Sequence, residues 1–174
     1  PYTTLFRSLA ALGHNSPAAL HWIAESCLQA FADRLTLLGD PAFVDAPWST
    51  LVSAAYARAQ ASTFSPNGVR TPQPTLPAPT PRMNTTHVSA IDRWGNSASL
   101  TSTLLGSWGS GVTVPGTGVL LNNGMMWFDP VPGRPNSVAG GKKPLANMAP
   151  TIVLGDKRAL LSVGAMGGRR ILNA

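Results

Sequence analysis

The chain has 174 residues, 44% of them apolar and 11% charged, with 17 Gly, 16 Pro and a formal net charge of +6. That length suffices for one domain with a core, and low charge beside many turn-forming residues suggests tight turns or a piece of something larger. Arg7, Arg34, Arg58, Arg70, Arg82, Lys142, Lys143, Arg169 and Arg170 are dispersed, which argues against a nucleic-acid partner; Cys27 stands alone, so no internal disulfide forms; and no run of about 18 apolar residues offers a membrane span.

In chain order, residues 1–8 (PYTTLFRS) read as a translated sequencing-adapter oligonucleotide and are set aside from fold reasoning. Residues 16–38 predict a helix. Ser16 suits its N-cap, Pro17 its first turn and Gly39 its C-terminal stop. Leu20, Ile23, Ala24, Cys27, Leu28, Phe31 and Leu35 recur at helical spacing and predict the packing face. Cys27 on that face is expected to be a buried, inert thiol. Residues 49–61 predict a second helix packing through Leu51, Ala54, Ala55 and Ala59. From Phe64 to Arg82 six prolines exclude a regular helix or central strand and predict an extended linker.

Strand patterns follow. THVSAID and SASLTSTLL flank RWGN, with its turn around Gly95, and predict a hairpin. GSWGSGVTVPGTG is a Gly-rich loop, VLLNN a short strand, and DPVPGRPNSVAGGKKP a long loop. APTIVL and ALLSVGA flank Gly155 and Asp156 and predict a second hairpin. Gly167 and Gly168 then lead into a helix that begins as the sequence stops, so the chain is expected to be an internal piece of a longer protein. Helices followed by strands predict an α+β class with helical layers on antiparallel sheet.

One position carries chemistry. A threonine where a linker enters a strand becomes an N-terminal residue if the bond before it is cut. It then holds a hydroxyl nucleophile and an α-amine that acts as its base. The α-amine titrates at about 7.7–8.0, close to working pH. Thr85 fits that description, after Asn84 and the linker. Threonine is equally at home in an ordinary strand, so these residues alone leave both readings open.

The segments LHWIAESCLQAFADRLTLLGDPAFV, TTHVSAIDRWGNSASLTSTL, GSGVTVPGTGVLLNN, KKPLANMAPTIVL and VGAMGGRRI, in this order, resemble the gamma-glutamyltransferase family of N-terminal nucleophile hydrolases. The resemblance implies a four-layer αββα sandwich, present here in part. It implies residues 9–63 as the helical end of a large subunit and 64–84 as a linker to a self-cleavage site. Residues 85–174 would begin a small catalytic subunit, both subunits coming from one precursor. The implied cut lies between Asn84 and Thr85. Thr85 would attack the Asn84 carbonyl carbon, and the resulting ester would be hydrolysed to leave Thr85 with a free amine. Mature Thr85 would then attack a small-molecule amide and pass the acyl group to water or an amine. Thr103 matches the family's second threonine, and Gly167 and Gly168 match its oxyanion-hole glycines. Thr101 shares the Thr103 face by two-residue periodicity and is expected to contribute to the pocket. His87 is assigned no proton-transfer role.

The substrate positions depart from the family. Leu105, Gly124 and Trp127 stand where polar or acidic residues grip a substrate ammonium, and Ala146 and Asn147 replace two serines. Trp127 and Asn147 are candidate substrate contacts; Asp129 lies two positions beyond Trp127. These changes resemble the cephalosporin-acylase-like branch of the family. The implied substrate is a γ-glutamyl compound such as glutathione, or a related N-acyl amide. The alternative is an uncleaved relative that binds a small ligand or serves as a scaffold. No Cys/His metal spacing, phosphate loop or dinucleotide fingerprint is present, so no cofactor is expected. The family is often exported, which leaves the compartment of this chain unassigned.

Overall fold

The computed structural model describes residues 9–70, 83–168 and 171. Residues 1–8 and linker residues 71–82 lie outside them. The chain forms two compact units, one of residues 1–78 with 129–143, the other of residues 79–128 with 144–174.

The first unit is helical, with α1 (Leu9–Leu12), α2 (Pro17–Leu37), α3 (Trp48–Leu51) and α4 (Ala54–Ala61). The start of α2 is as predicted: the Ala19 amide donates to Ser16 Oγ at 3.0 Å, and Pro17 occupies the first turn. Its end is not a left-handed glycine cap, because Leu38 turns extended at φ −100°. Gly39 serves close approach instead. A Cβ there would lie 2.3 Å from the Pro135 carbonyl oxygen.

The buried face of α2 differs from the predicted one. Of the expected stripe only Phe31 is buried; Leu20 is 51% exposed, Ala24 is exposed, and Cys27, Leu28 and Leu35 are half-buried. The helix buries Glu25, Ser26 and Asp33. Buried carboxylates need partners, and these have them. Arg70 donates from Nε to Glu25 Oε2 at 3.1 Å and from its amide to Oε1 at 3.3 Å. Asp33 accepts from Gln29 at 2.8 Å and from the Tyr56 hydroxyl at 2.9 Å. Burial, and donation to Asp33, push the Tyr56 phenol up to about 12. Burial likewise pushes the Cys27 thiol up, away from nucleophilic character.

The segment leading to the linker is held on α2 by more than the ion pair. His21 Nε2 lies 2.8 Å from the Ser65 carbonyl, the Trp22 and Phe64 rings are 5.2 Å apart, and the Arg70 guanidinium sits 4.2 Å over Phe64. Glu25→Ala is expected to cost about 3 kcal/mol, because it strands a largely buried guanidinium. The check is the urea midpoint of the whole protein, expressed from its complete reading frame; an unchanged midpoint would show that the pair adds nothing.

The second predicted helix is broken. Val52 and Ser53 separate α3 from α4, where Ser53 Oγ accepts the Tyr56 amide at 3.0 Å and starts a new helix. Leu51 is buried as expected. Ala54, Ala55 and Ala59 are exposed, and Ala57 is the buried alanine. Residues 129–143 close on themselves: Asp129 accepts from the Val131 amide at 2.9 Å and from Arg134 Nη1 at 3.0 Å.

The second unit is built on two antiparallel hairpins, β1 (Met83–Ile91) with β2 (Ser97–Gly106), and β3 (Thr151–Gly155) with β4 (Arg158–Val163). The first turn is fixed by Asp92, which accepts the Trp94 and Asn96 amides at 2.9 Å, with Gly95 at φ +87°. In the second, Asp156 and Lys157 carry the positive φ, one residue beyond the predicted Gly155–Asp156. The predicted VLLNN strand is reduced to one bridge, Thr113 to Leu120. The hairpins touch through β2 and β4, where Ser99 Oγ donates to the Val163 carbonyl at 3.0 Å and Ser162 Oγ to the Ala98 carbonyl at 3.2 Å. The hydroxyl face of β2 (Ser97, Ser99, Thr101, Thr103) is thus half-buried, while Leu100 on the other face is 63% exposed.

Candidate active site

β1 and β2 pair in one register from Ile91–Ser97 to Thr86–Ser102, then shift. Asn84 pairs with Leu105, so Thr85 faces both Thr103 and Leu104 across a β-bulge. Such an extra residue bends its strand and re-aims side chains. Here Thr103 meets both the Thr85 hydroxyl and the Asn84 carbonyl before it.

Three contacts converge on Thr103 Oγ1. It donates to the Asn84 carbonyl oxygen in a short hydrogen bond. It accepts from Thr85 Oγ1 at 3.2 Å and from the Leu105 amide at 2.8 Å. Leu105 is 3% exposed and holds φ +72°, a conformation costly for a bulky residue. The Asn123 side chain supports this corner by accepting the Gly106 amide at 2.9 Å.

The pair opens on a cleft of about 440 Å3 lined by Asn84, Thr85, Thr86, Ser102, Thr103, Leu104, Met166 and Gly167. None of these side chains carries a charge. Gly167 and Gly168 hold φ +137° and +60°, which favour glycine. The geometry is suited to acyl transfer. A hydroxyl lies next to a carbonyl that accepts a hydrogen bond from a second hydroxyl, and the cleft borders the backbone of Gly167.

The structure therefore brings Asn84, Thr85, Thr103 and Gly167 together. Gly168 is buried beside Gly167 and does not line the cleft. Thr101 is one step removed, 2.8 Å from His87 Nδ1 on the same face. Trp127, in the short 3-10 turn Gly124–Trp127, and Asn147, 4% exposed, do not line this cleft. Met166 does, and the sequence offered no signal for it beyond its place before the glycine pair. Among the described residues no group of three or more His, Cys, Asp and Glu could hold a metal ion, and no helix is long and apolar enough to cross a membrane.

The fold is that of the N-terminal nucleophile hydrolases: the chain superimposes on cephalosporin acylase from Bacillus halodurans with a TM-score of 0.74 at 23% identity, covering 96% of this chain and 31% of that one. Residues 3–174 match the Gamma-glutamyltranspeptidase family model, and the chain belongs to that family. It is 38% identical to the glutathione hydrolase proenzyme of Escherichia coli K12 over 92% of this chain and 30% of that protein. It is also 38% identical to the acylase ACY 1 proenzyme of Pseudomonas sp. strain SE83 over 94% of this chain and 29% of that protein. The chain thus spans under a third of the length of these relatives.

Proposed function

We propose that this chain carries the self-cleavage junction and the nucleophile of an N-terminal threonine amide hydrolase or acyl transferase. The observation that carries the reading is the Thr85–Thr103 pair set against the Asn84 carbonyl at the edge of an uncharged cleft.

In the uncut chain the Thr85 hydroxyl donates to Thr103, leaving its own lone pairs available. The Thr103 proton on the Asn84 oxygen makes the carbonyl carbon more electrophilic. Attack by Thr85 Oγ1 on that carbon transfers the Asn84 acyl group from nitrogen to oxygen. The C–N bond breaks as the ester forms, the Thr85 hydroxyl proton passing to the departing nitrogen, which becomes the Thr85 amine. Water then hydrolyses the ester, releasing the Asn84 carboxylate and restoring the Thr85 hydroxyl. The freed amine accepts the Thr85 hydroxyl proton when Thr85 attacks a substrate amide, and that proton goes to the departing amine. Gly167, whose backbone borders the cleft, holds the oxyanion of each tetrahedral intermediate, with Gly168 behind it in the same segment. Water or an amine takes the acyl group from the resulting ester.

Substrates are γ-glutamyl compounds such as glutathione or related N-acyl amides, the relatives being named for both glutathione hydrolase and acylase activities. The preference for acyl groups without an α-ammonium is supported by the sequence alone, through Leu105, Gly124, Trp127 and Ala146 in place of polar residues; none of the four lines the cleft described above. The alternative, an uncleaved ligand-binding relative, draws on the same four positions. Intact mass of the protein expressed from its complete reading frame separates the two. Two fragments, one beginning at Thr85, are expected; a single uncut chain that binds amides without releasing product would establish the alternative. Rates on matched γ-glutamyl and glutaryl amides then rank the substrates, with the glutaryl amide expected to be the faster.

A further inference from the structure

His87 lies two residues beyond Thr85 and has both ring nitrogens engaged. Nδ1 is 2.8 Å from Thr101 Oγ1, its cross-strand partner, and Nε2 is 2.9 Å from Ser89 Oγ. A hydroxyl can donate or accept, so either tautomer satisfies both contacts. The ring is thereby held at both nitrogens, by a hydroxyl from each strand.

Its third contact is with the other hairpin. Gly164, the first residue past β4, lies so close that a Cβ there would be 2.3 Å from His87 Cε1 and Nδ1. A side chain at 164 would have to displace the imidazole or the backbone. From Gly164 only two residues, Ala165 and Met166, lead to Gly167 at the cleft. The glycine segment is therefore braced near one end by an imidazole that stands on the nucleophile's own strand.

We infer that His87 is a positioning residue: its ring, locked by Thr101 and Ser89 and seated on Gly164, sets the separation between Thr85 and the Gly167–Gly168 oxyanion segment. This rests on the roles proposed above for those residues. Hydrogen-bond donors help only where they meet the charge that develops in the transition state, and a misplacement of about 1 Å can cost a hundredfold. Loss of the brace should act on the transition state and leave ground-state binding in place.

The experiment is a double-mutant cycle in the full-length protein with His87→Ala and Gly164→Ala, read as kcat and KM on one amide substrate and as the rate of self-cleavage. His87→Phe keeps a ring on Gly164 but drops both hydrogen bonds. His87→Asn keeps a polar group near Thr101 but drops the ring. We expect His87→Ala to lower kcat about tenfold with KM unchanged, and Gly164→Ala to do the same. Gly164→Ala should cost much less in the His87→Ala background, where the new methyl has room, and such coupling marks residues in contact. His87→Phe should recover more kcat than His87→Asn. Additive effects, a change in KM alone, or wild-type kcat in all the single variants would overturn the brace and leave the nucleophile assignment standing. A Thr85→Ala protein that still turns over substrate would overturn both. If His87→Ala does not fold, Gly164→Ala beside His87→Asn still decides, since unchanged kcat in both would end the proposal.

Discussion

Thr85→Ala is expected to remain a single uncut chain and to lose turnover by roughly 10^4-fold or more, the scale seen when a covalent nucleophile is removed. Two losses coincide in this one substitution. The uncut protein loses the oxygen that would attack the Asn84 carbonyl, so no new N-terminus forms. Any chain cut by other means would present an amine with no hydroxyl beside it. Thr85→Ser keeps the oxygen and is expected to cut and to turn over, more slowly. Intact mass and initial rates on the same preparations check this. Two fragments from Thr85→Ala would place the nucleophile elsewhere.

The second large effect is expected at Thr103. Thr103→Val preserves the shape of the side chain and removes its hydroxyl. Three contacts go with it: the bond to the Asn84 carbonyl, the acceptor for Thr85 and the acceptor for the Leu105 amide. Losing a donor aimed at a developing oxyanion costs roughly 10^2–10^3 in rate, so self-cleavage should slow by that factor. The unpartnered Leu105 amide adds a further cost of about 1–3 kcal/mol in stability, because Leu105 is buried. Thr103→Ser should restore most of both. A time course of intact mass, with a thermal melt of the same samples, separates the two. Cleavage at the wild-type rate in Thr103→Val would remove Thr103 from the reaction.

Local features were the most legible in the sequence. Ser16 before Pro17, and Asp92 with Gly95 and Asn96, act within a few residues, so pattern alone finds the α2 start and the first hairpin turn. The hairpin then brings Thr85 opposite Thr103. The bulge was not legible, because nothing in TSTLLG marks Thr103 and Leu104 as sharing one partner. Nor was the buried face of α2. The helix reads as apolar along Leu20, Ile23 and Cys27, yet it buries Glu25 because an arginine 45 positions later supplies the counter-charge. Periodicity scores residue types and cannot see a distant partner. Ser53 shows the same limit at short range, since its hydroxyl ends one helix by starting another. His87 on Gly164 joins two strands far apart in sequence, and neither residue type announces the other.

The Glu25–Arg70 ion pair has a consequence for the proposed cleavage. It anchors the chain at Arg70 on α2, fourteen residues before the proposed cut at Asn84. The fragment that would end at Asn84 therefore keeps a defined point of attachment on its own helix after the bond is broken, and a variant at Glu25 would remove that attachment while leaving every residue of the cleft in place.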